Sequence, residues 1–271
     1  MGYPTMRFFA RVLGVSLMAA CLISGVRGQG RGSPGGAAPP PKTAKDAAPF
    51  DMTGYWVSNV TEDWRYRMVT PPKGDYQGVP LNVEARKIAD SWDPAKDEAA
   101  GEQCKSYGAA NIMRVPERLH ITWQDDQTLK LETDAGKQIR MFYFSNPPAR
   151  TADWQGVSKA IWDMGADFGV VPTNFDPRFG SLSRISGGSL KVITTKLRPG
   201  YLRTNGIPYS GEAVVTEYYD RVVTRNGDVY LVVTTSVDDP VYLRQPYLTS
   251  TSFRKQMDAS AWNPTPCIVA R

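Results

Sequence analysis

Apolar and polar residues alternate along much of this chain, and this two-residue period is typical of β-strands with one buried face. In residues 118–123 apolar side chains occupy every second position, and residues 128–133 repeat the pattern. A short polar segment, residues 124–127, separates the two runs. The alternation therefore predicts a β-hairpin in which Leu119 and Ile121 share the face opposite to that of the polar residues.

Similar alternating runs follow through the rest of the chain, separated by short turns. Asn226-Gly227 lies between two of them and strongly favours a tight hairpin turn. Seven to nine strands joined in this way predict a mainly β domain. The expected fold is a single antiparallel meander barrel of lipocalin-like pattern, with a two-sheet β-sandwich as the alternative. Besides the hairpin, the predicted strands are residues 138–144, 154–162, 189–198, 213–224, 229–237 and 247–254.

Residues 82–92 depart from the strand period. Ile88 and Trp92 belong to a set of apolar residues at helical spacing, Asn82 is suited to cap the first turn, and Pro94 follows shortly after the last. The pattern predicts one of the one or two short helices of the domain. We expect it to pack across the barrel or to cover one of its ends.

The N-terminal part has the pattern of an export signal. Arg7 and Arg11 precede an apolar run over residues 12–26, and a small-residue cleavage site follows. The run is shorter than the roughly 20 apolar residues that cross a membrane. We therefore predict a signal peptide over residues 1–28, with a lipoprotein attached through Cys21 as the less favoured alternative.

The segment after the predicted signal is rich in Gly, Pro and Ala. Such a composition buries too little apolar surface to fold by itself. Residues 29–48 are therefore expected to be a disordered linker, and residues 49–271 to be the β-barrel domain. The expected location is exported, periplasmic or secreted, with no transmembrane segment in the mature protein.

Removal of the signal leaves two cysteines, Cys104 and Cys267. Two cysteines in an oxidising compartment are expected to form a disulfide, with a pair of unpaired buried thiols as the alternative. The chain has no Cys-x-x-Cys motif and no Cys/His cluster, and it has a single histidine. These features indicate neither a metal site nor a cofactor.

The charge of the chain is modest. It has 32 Lys and Arg against 27 Asp and Glu, a net charge of +5, and the basic residues are interspersed with acidic ones. A nucleic-acid-binding protein is expected to concentrate its basic residues in a patch or stripe. The distribution therefore favours a small-molecule partner rather than a nucleic acid.

Residues 55–67 combine four aromatic residues, two arginines and two carboxylates. Rings supply contact area and arginines supply orientation in many binding sites. We expect this segment to be the first strand of the barrel and a wall of a ligand cavity. The alternative is an edge strand whose arginines lie in water. The candidate ligand-binding residues of this segment are Trp56, Trp64, Arg65 and Arg67.

Three acid/base groups are candidates for catalysis. His120 alternates with apolar neighbours and faces either a polar lumen or solvent, and its pKa near neutrality suits proton transfer. Glu217 shares a strand face with Tyr219 and could be a tuned base or half of a structural ion pair. Asp63 lies in the aromatic segment. These residues are catalytic candidates only if the protein is an enzyme.

The segment 198–203 is rich in Arg and Tyr, and a loop of this composition at a strand end could bind an anionic or carbonyl group. The alternative is a plain turn. The candidate ligand-binding residues outside the first strand are Trp123, Tyr143, Arg198, Tyr201 and Tyr219.

Several blocks of the sequence resemble a group of exported, uncharacterised bacterial proteins with a lipocalin-like β-domain. The resemblance covers roughly residues 52–267 and implies an exported β-domain without implying an activity. A further, weak similarity to the Gly-x-Trp motif of lipocalins lies at residues 53–56. The blocks are residues 101–108 (Gly-Glu-Gln-Cys-Lys-Ser-Tyr-Gly), 112–116 (Ile-Met-Arg-Val-Pro), 123–126 (Trp-Gln-Asp-Asp), 198–203 (Arg-Pro-Gly-Tyr-Leu-Arg) and 262–267 (Trp-Asn-Pro-Thr-Pro-Cys).

The function that this combination favours is binding of a small hydrophobic or aromatic molecule in a cavity lined by aromatic residues and arginines. The first alternative is a cofactor-independent lyase, isomerase or cyclase that uses acid/base residues in the same cavity. The second is a structural envelope protein without a ligand. No Gly-x-Ser-x-Gly, Walker or Rossmann motif is present.

Overall fold

The computed structural model describes residues 43–164 and 188–269. The predicted signal peptide, residues 1–28, and most of the predicted linker lie outside the described residues. The last residues of that linker are described, and Ala44 is buried. Its carbonyl accepts a 2.7 Å hydrogen bond from the indole of Trp162. Contacts with the domain therefore begin before residue 49.

The described chain is mainly β. Its helical segments are α1 (Trp64–Arg67), α2 (Val83–Asp90), α3 (Pro94–Ala99) and the 3₁₀ turns Gln103–Tyr107 and Ile112–Arg114. Its strands are β1 (Gly54–Asn59), β2 (Arg118–Asp125), β3 (Thr128–Thr133), β4 (Ala135–Gly136), β5 (Ile139–Tyr143), β6 (Val157–Asp163), β7 (Ser189–Thr195), β8 (Gly200–Arg203), β9 (Ile207–Tyr209), β10 (Val214–Val223), β11 (Val229–Asp238), β12 (Tyr247–Lys255) and β13 (Thr265–Pro266).

Nine of these strands form a closed barrel in the order β1-β12-β11-β10-β7-β6-β5-β3-β2. The first strand closes the barrel because it pairs with β12 on one side and with β2 on the other. The predicted barrel is therefore confirmed, and the sandwich alternative is excluded. β8 and β9 form a separate small ribbon, and β4 pairs with β13.

The lumen of the barrel is filled by the apolar side chains that the alternation predicted. Each strand turns every second residue inward, and burial of one such side chain contributes about 1.5–3 kcal/mol. The hairpin residues Leu119 and Ile121 are among them. The inward-facing core comprises Trp56, Leu119, Ile121, Leu129, Leu131, Phe142, Ala160, Leu190, Val192, Tyr219, Leu231, Val233 and Phe253.

One junction of the barrel is parallel, which corrects the expectation of a purely antiparallel meander. β5 and β6 run in the same direction and are registered through Phe142 opposite Ser158 and Tyr143 opposite Lys159. Every other neighbouring pair in the barrel is antiparallel. The connection over residues 144–156 returns the chain to the end of β5, where β6 begins beside it and runs in the same direction.

The two ends of the barrel are closed differently. At the Trp123 end, where β2 finishes, the rings of Phe50, Trp123, Phe144 and Trp162 contact one another with centroid distances of 5.2–6.5 Å. At the Glu117 end, where β2 begins, a second apolar cluster joins α2 and the β8–β9 ribbon to the ends of β10, β11 and β12. The helical segments therefore belong to the Glu117 end.

The predicted helix is confirmed as α2. Asn82 caps it, since its side-chain oxygen accepts a 2.9 Å hydrogen bond from the backbone N–H of Ala85. Ala85 and Ala89 are buried against the second cluster. Pro94 not only follows the helix but also begins α3, where its missing N–H costs no helical hydrogen bond.

The predicted disulfide is also confirmed. Cys104 and Cys267 are bonded, with Cα atoms 5.2 Å apart and a sequence separation of 163. The C-terminal segment is fixed a second time by β13, in which Thr265 and Pro266 pair with β4. The two attachments hold residues 265–269 against the body of the domain.

The first strand is shorter than the sequence predicted. β1 ends at Asn59, and residues 64–67 form the helical turn α1 instead of continuing the alternation. Asp63 precedes this turn with a φ of 50° in the left-handed region, which reverses the chain. The prediction of strand faces beyond Asn59 is therefore wrong, and Trp64 and Arg67 are placed by a helix.

Candidate functional site

Three buried arginines meet at the Glu117 end. Arg67, Arg114 and Arg203 are each less than 10% exposed, and we refer to them as the arginine cluster. The guanidinium carbons of Arg114 and Arg203 lie 6.0 and 5.9 Å from the ring centroid of the same residue, Tyr247. Burial of three guanidinium groups so close together is costly unless each finds a partner.

Arg67 is fully satisfied by protein groups. At the end of α1, its Nε donates to the carbonyl of Arg114 at 2.8 Å and its Nη2 donates to Ser58 Oγ at 2.8 Å. Its Nη1 pairs with the carboxylate of Glu62. Burial lowers the pKa of Arg67, while Glu62 opposes that effect. Arg67 therefore has a structural role, which is to tie α1 to the 3₁₀ turn that carries Arg114.

Arg114 is satisfied only in part. Its Nη2 donates to Asp63 Oδ2 at 3.1 Å. Its Nη1 is buried and has no hydrogen-bond partner among the described residues. The Asp63 carboxylate is about half exposed, so the outer side of this guanidinium faces the surface and the inner side faces the cluster.

Arg203, at the end of β8, has no carboxylate partner among the described residues. Its guanidinium carbon lies 4.1 Å from the ring centroid of Tyr66, and Tyr247 packs on it as well. Its Nε and Nη1 are buried without a hydrogen-bond partner within the described parts of the chain. Cation–π contacts compensate for only a part of the lost hydration of a charge.

Among the described residues, the unpartnered side-chain atoms of Arg114, Arg203 and the adjoining Tyr247 are donors or can be donors, while both oxygens of Glu117 are unpartnered acceptors. The donor atoms are Arg114 Nη1, Arg203 Nε, Arg203 Nη1 and the hydroxyl of Tyr247. Glu62 and Asp63 pair with Arg67 and Arg114, whereas Arg203 has no ion-pair partner among the described residues. Such a set of N–H and O–H groups suits a carboxylate or phosphate oxygen, which guanidinium groups bind in bidentate geometry.

A loop, residues 71–80, covers Arg203. The side-chain amide of Asn205 donates to the carbonyls of Pro72 and Asp75 at 3.2 and 3.0 Å and so holds the loop in place. Gly78 is exposed, and a Cβ at this position would lie 3.7 Å from Arg203 Nη2. Arg203 Nη2 therefore lies directly beneath the exposed backbone at Gly78.

Glu117 is a buried carboxyl group that faces the lumen next to the cluster. Neither of its oxygens has a hydrogen-bond partner among the described residues. Thr133 is close, but its hydroxyl donates to the carbonyl of Ala135 at 2.8 Å. Burial raises the pKa of Glu117 well above its usual value, and Asp134 adds to the effect, whereas Arg140 and Arg67 oppose it.

This raised pKa predicts how stability depends on pH. The folded state holds the Glu117 proton at pH values where the unfolded state has lost it, so this group's stabilisation is lost as pH rises from about 4.5 through the raised pKa. Each unit of the shift is worth about 1.4 kcal/mol. In urea unfolding, the free energy of unfolding of the Glu117→Gln variant should therefore exceed that of the wild type by the largest amount at high pH.

The control is Glu84→Gln, which removes an exposed carboxylate from α2. The difference in the free energy of unfolding between Glu84→Gln and the wild type should not change between pH 5 and pH 8. If Glu117→Gln and Glu84→Gln give parallel profiles over this range, the pKa of Glu117 is not raised.

A second polar group lies deeper in the lumen. Arg140 donates to both carboxylate oxygens of Glu217 at 2.8 and 2.5 Å, to Thr194 at 3.3 Å and to the hydroxyl of Tyr219 at 3.3 Å. Burial alone would lower the pKa of Arg140, but Glu217 outweighs it and the pKa is raised. Burial also raises the pKa of Tyr219. The pair is an internal salt bridge, in which Arg140 Nε is the nitrogen without a hydrogen-bond partner among the described residues.

The predicted acid/base residues do not share a cavity. His120 lies on the outer face of β2, where it stacks on Tyr55 at 4.2 Å and its Nδ1 lies 3.1 Å from Glu132. Glu217 lies inside the barrel, and Asp63 pairs with Arg114 at the Glu117 end. The side chains of β2 that face the lumen, Leu119 and Ile121, are apolar. The opposite face of β2, which carries His120, therefore points outward.

The predicted ligand-binding residues on the barrel are also dispersed. Trp56 and Tyr219 are fully buried in the core, and the indole of Trp56 donates to the carbonyl of Met52 at 3.0 Å. Trp123 packs at the opposite end from the arginine cluster. Tyr143 is half-buried on the outer face of β5.

The predicted residues around α1 have three different environments. Trp64 is 63% exposed. Arg65 is exposed and pairs with Asp75 at 2.5 Å. Of these residues, only Arg67 belongs to the arginine cluster.

The predicted residues of the Arg/Tyr-rich segment, residues 198–203, also lie in different environments. Arg198 lies 4.3 Å above the ring of Trp154, and the hydroxyl of Tyr201 donates to Asp97 at 2.7 Å. Both side chains hold local structure outside the arginine cluster. The residue of this loop that the structure brings to the cluster is Arg203.

The sequence-based set of site residues does not include Arg114, Arg203, Tyr247 or Glu117. A local signal exists for two of them. Arg114 lies between Met113 and Val115, and Arg203 follows Leu202, so each arginine has an apolar neighbour in a segment expected to be buried. A buried arginine is a strong indication of a specific partner, but the sequence does not show which segments meet.

No family model, curated protein or solved structure matches this chain. No helix in the described part of the chain is long and apolar enough to cross a membrane. In residues 43–164 and 188–269, no group of three or more His, Cys, Asp or Glu side chains is arranged to hold a metal ion.

Proposed function

We propose that this protein is an exported binding protein for a small organic anion, and that the arginine cluster holds the anionic group. The observation that carries the proposal is Arg203, a buried guanidinium with two unpartnered N–H groups and no carboxylate partner among the described residues. Buried charges in proteins are paired, and an unpaired buried polar group calls for an explanation. A bound carboxylate or phosphate would pair it.

The surrounding groups support the same ligand class. Arg114 Nη1 and the Tyr247 hydroxyl are further unpartnered donors among the described residues, and both Arg114 and Arg203 pack against the ring of Tyr247. The two tyrosine rings that pack on Arg203 limit its rotamers. A fixed donor set loses little conformational entropy when the ligand binds.

Export is part of the proposal and has two supports. Residues 1–28 have the pattern of a signal peptide. The disulfide between Cys104 and Cys267 is typical of proteins in oxidising compartments. Together they favour a periplasmic or secreted protein.

A structural role without a ligand is the second candidate, and one observation favours it. The lumen is filled by side chains and holds an internal salt bridge, as in a barrel built for rigidity. A structural role does not explain the unpartnered N–H donors of Arg114 and Arg203. Anion binding separates the two candidates.

The test is thermal unfolding with added anions. We expect sodium phosphate and sodium benzoate to raise the Tm of the wild type by about 5–10 °C at a hundredfold excess over Kd, relative to sodium chloride of equal ionic strength. Arg203→Met should lose this response while keeping or raising the Tm without added anion, because it removes a buried unpaired charge.

The matched control is Arg225→Met, which removes an arginine of the exposed turn between β10 and β11. It should respond to phosphate and benzoate like the wild type. An equal response in Arg203→Met and Arg225→Met would contradict the proposed site. The absence of a response to both anions in the wild type would favour the structural role.

A further inference from the structure

A groove of about 720 Å³ opens among the end of α1, the 3₁₀ turn Gln103–Tyr107 and the C-terminal segment 265–269. Its volume lies within the range of small-molecule sites, about 300–1,000 Å³. None of the three arginines of the arginine cluster, nor Tyr247, is among its described lining residues. The groove is therefore separate from the anion site proposed above.

The described lining of the groove is largely apolar. Neutral polar groups come from Thr70, Gln103, Ser106 and Thr204, whose hydroxyl and amide groups can each donate and accept a hydrogen bond. Small-molecule sites combine an apolar wall with a few polar groups that fix the ligand's orientation. The apolar lining comprises Met68, Val69, Tyr107, Val115, Ile268 and Val269.

The charge of the lining favours a neutral occupant. Glu98 is the one charged side chain among the described lining residues, and it is exposed, so water and salt screen its carboxylate. The buried and half-buried residues of the described lining are all neutral, and they include Ser106 and Thr204. A charged ligand group beside them would lose hydration without gaining a counter-ion.

The wall formed by the C-terminal segment is fixed before any ligand arrives. Cys267, Ile268 and Val269 line the groove, and the disulfide to Cys104 attaches them to the 3₁₀ turn that supplies Tyr107. The pairing of β13 with β4 attaches the same segment a second time. A preformed wall loses little conformational entropy on binding, which favours an occupant of defined size.

The groove also exposes apolar surface to water. Met68 is 58% exposed, Val69 is 59% exposed and Ile268 is 66% exposed. Single exposed apolar residues are common, but residues that border one groove form a patch, and such patches mark binding sites. An apolar ligand in the groove would remove part of this surface from water.

We infer that the groove is a second ligand site, which binds a small, neutral and largely apolar molecule with one hydroxyl or carbonyl group, such as a medium-chain alcohol. The apolar body of the ligand packs on the side chains of Met68, Val115 and Ile268. Its polar group exchanges hydrogen bonds with the neutral polar lining. This inference does not depend on the arginine cluster, and either site can exist without the other.

The test is calorimetric titration of the full chain with butanol, hexanol and octanol. Burial of each methylene should tighten binding by about fourfold until the groove is full. Sodium octanoate and octylammonium chloride have the same chain length as octanol but carry a charge. Since octanoate is also a ligand for the proposed anion site, the three octyl compounds are compared in Arg203→Met, in which that site is removed. Octanol should bind this variant about tenfold more tightly than either charged compound.

A matched pair of double variants locates the bound alcohol. Met68→Gln with Val69→Asn changes two exposed apolar residues of the groove, and Val222→Asn with Val223→Asn changes two exposed apolar residues at the end of β10. Both proteins should fold, because all four side chains are exposed. The groove variant should bind octanol about tenfold more weakly than the wild type, because it replaces apolar contact area by polar groups. The β10 variant should bind octanol like the wild type.

Three results would overturn the inference. The first is an affinity for the alcohols that is undetectable or does not rise with chain length. The second is tighter binding of octanoate or octylammonium than of octanol to Arg203→Met, since the ligand is then not neutral. The third is equal octanol affinity in the two double variants, which places the alcohol outside the groove. None of these results bears on the phosphate and benzoate response that tests the proposed function.

Discussion

Replacement of Arg140 by methionine is expected to destabilise the barrel by about 3–5 kcal/mol. The substitution leaves Glu217 in the lumen without its two charge-assisted hydrogen bonds, and both side chains of the pair are completely buried. The remaining partner of Glu217 is the hydroxyl of Tyr219 at 3.2 Å. One neutral hydrogen bond compensates for little of the cost of a buried carboxylate.

Urea unfolding measures this loss of stability, and two further variants test its cause. The double variant Arg140→Met, Glu217→Leu removes the charge as well and should regain most of the lost stability, because a well-packed apolar pair often replaces a buried ion pair at no cost. Arg254→Met breaks an exposed pair with Asp228 and should change stability much less. A loss in Arg140→Met no larger than that in Arg254→Met would contradict the prediction.

Removal of the disulfide is expected to cost roughly 3–5 kcal/mol. The bond closes a loop of 163 residues, and chain-entropy arguments assign large stabilisation to loops of this length. The variant Cys104→Ser, Cys267→Ser should therefore unfold at a lower urea concentration than the wild type. Because β13 contributes just two paired residues, residues 265–269 should also become sensitive to protease.

The measurement combines urea unfolding with limited proteolysis followed by mass analysis. Wild-type protein treated with a thiol reductant is the control, and it should unfold like the double serine variant. A non-reducing gel should show faster migration of the oxidised wild type. Equal unfolding midpoints for the oxidised wild type and the variant would show that the disulfide does not stabilise the domain.

The barrel could be predicted from the sequence because alternation is a local property. The strand faces of residues 118–123 and 128–133 follow from two-residue periodicity, and the structure confirms them. The first strand was predicted too long because rings and arginines continue to alternate after Asn59. The left-handed backbone at Asp63 ends that pattern, and a two-residue hydrophobic period does not predict such a turn.

The candidate site could not be predicted in the same way. The arginine cluster depends on three segments that meet around Tyr247 although they are far apart in sequence. Periodicity assigned His120 and the apolar residues of β2 to opposite faces correctly, but it left open which face points into the barrel. The apolar filling of the lumen decides this, and it is a property of all nine strands together.

Closure of the barrel has a consequence for how the chain folds. At the junction of β1 and β12, Trp56 lies opposite Lys255 across almost 200 residues of sequence. Native contacts at such separation slow folding, because the entropy of closing a long loop is lost before the contact forms. Folding should therefore be slow compared with helical proteins of similar size. A chain that lacks β12 should leave the edge of β1 unpaired and prone to pair with other chains.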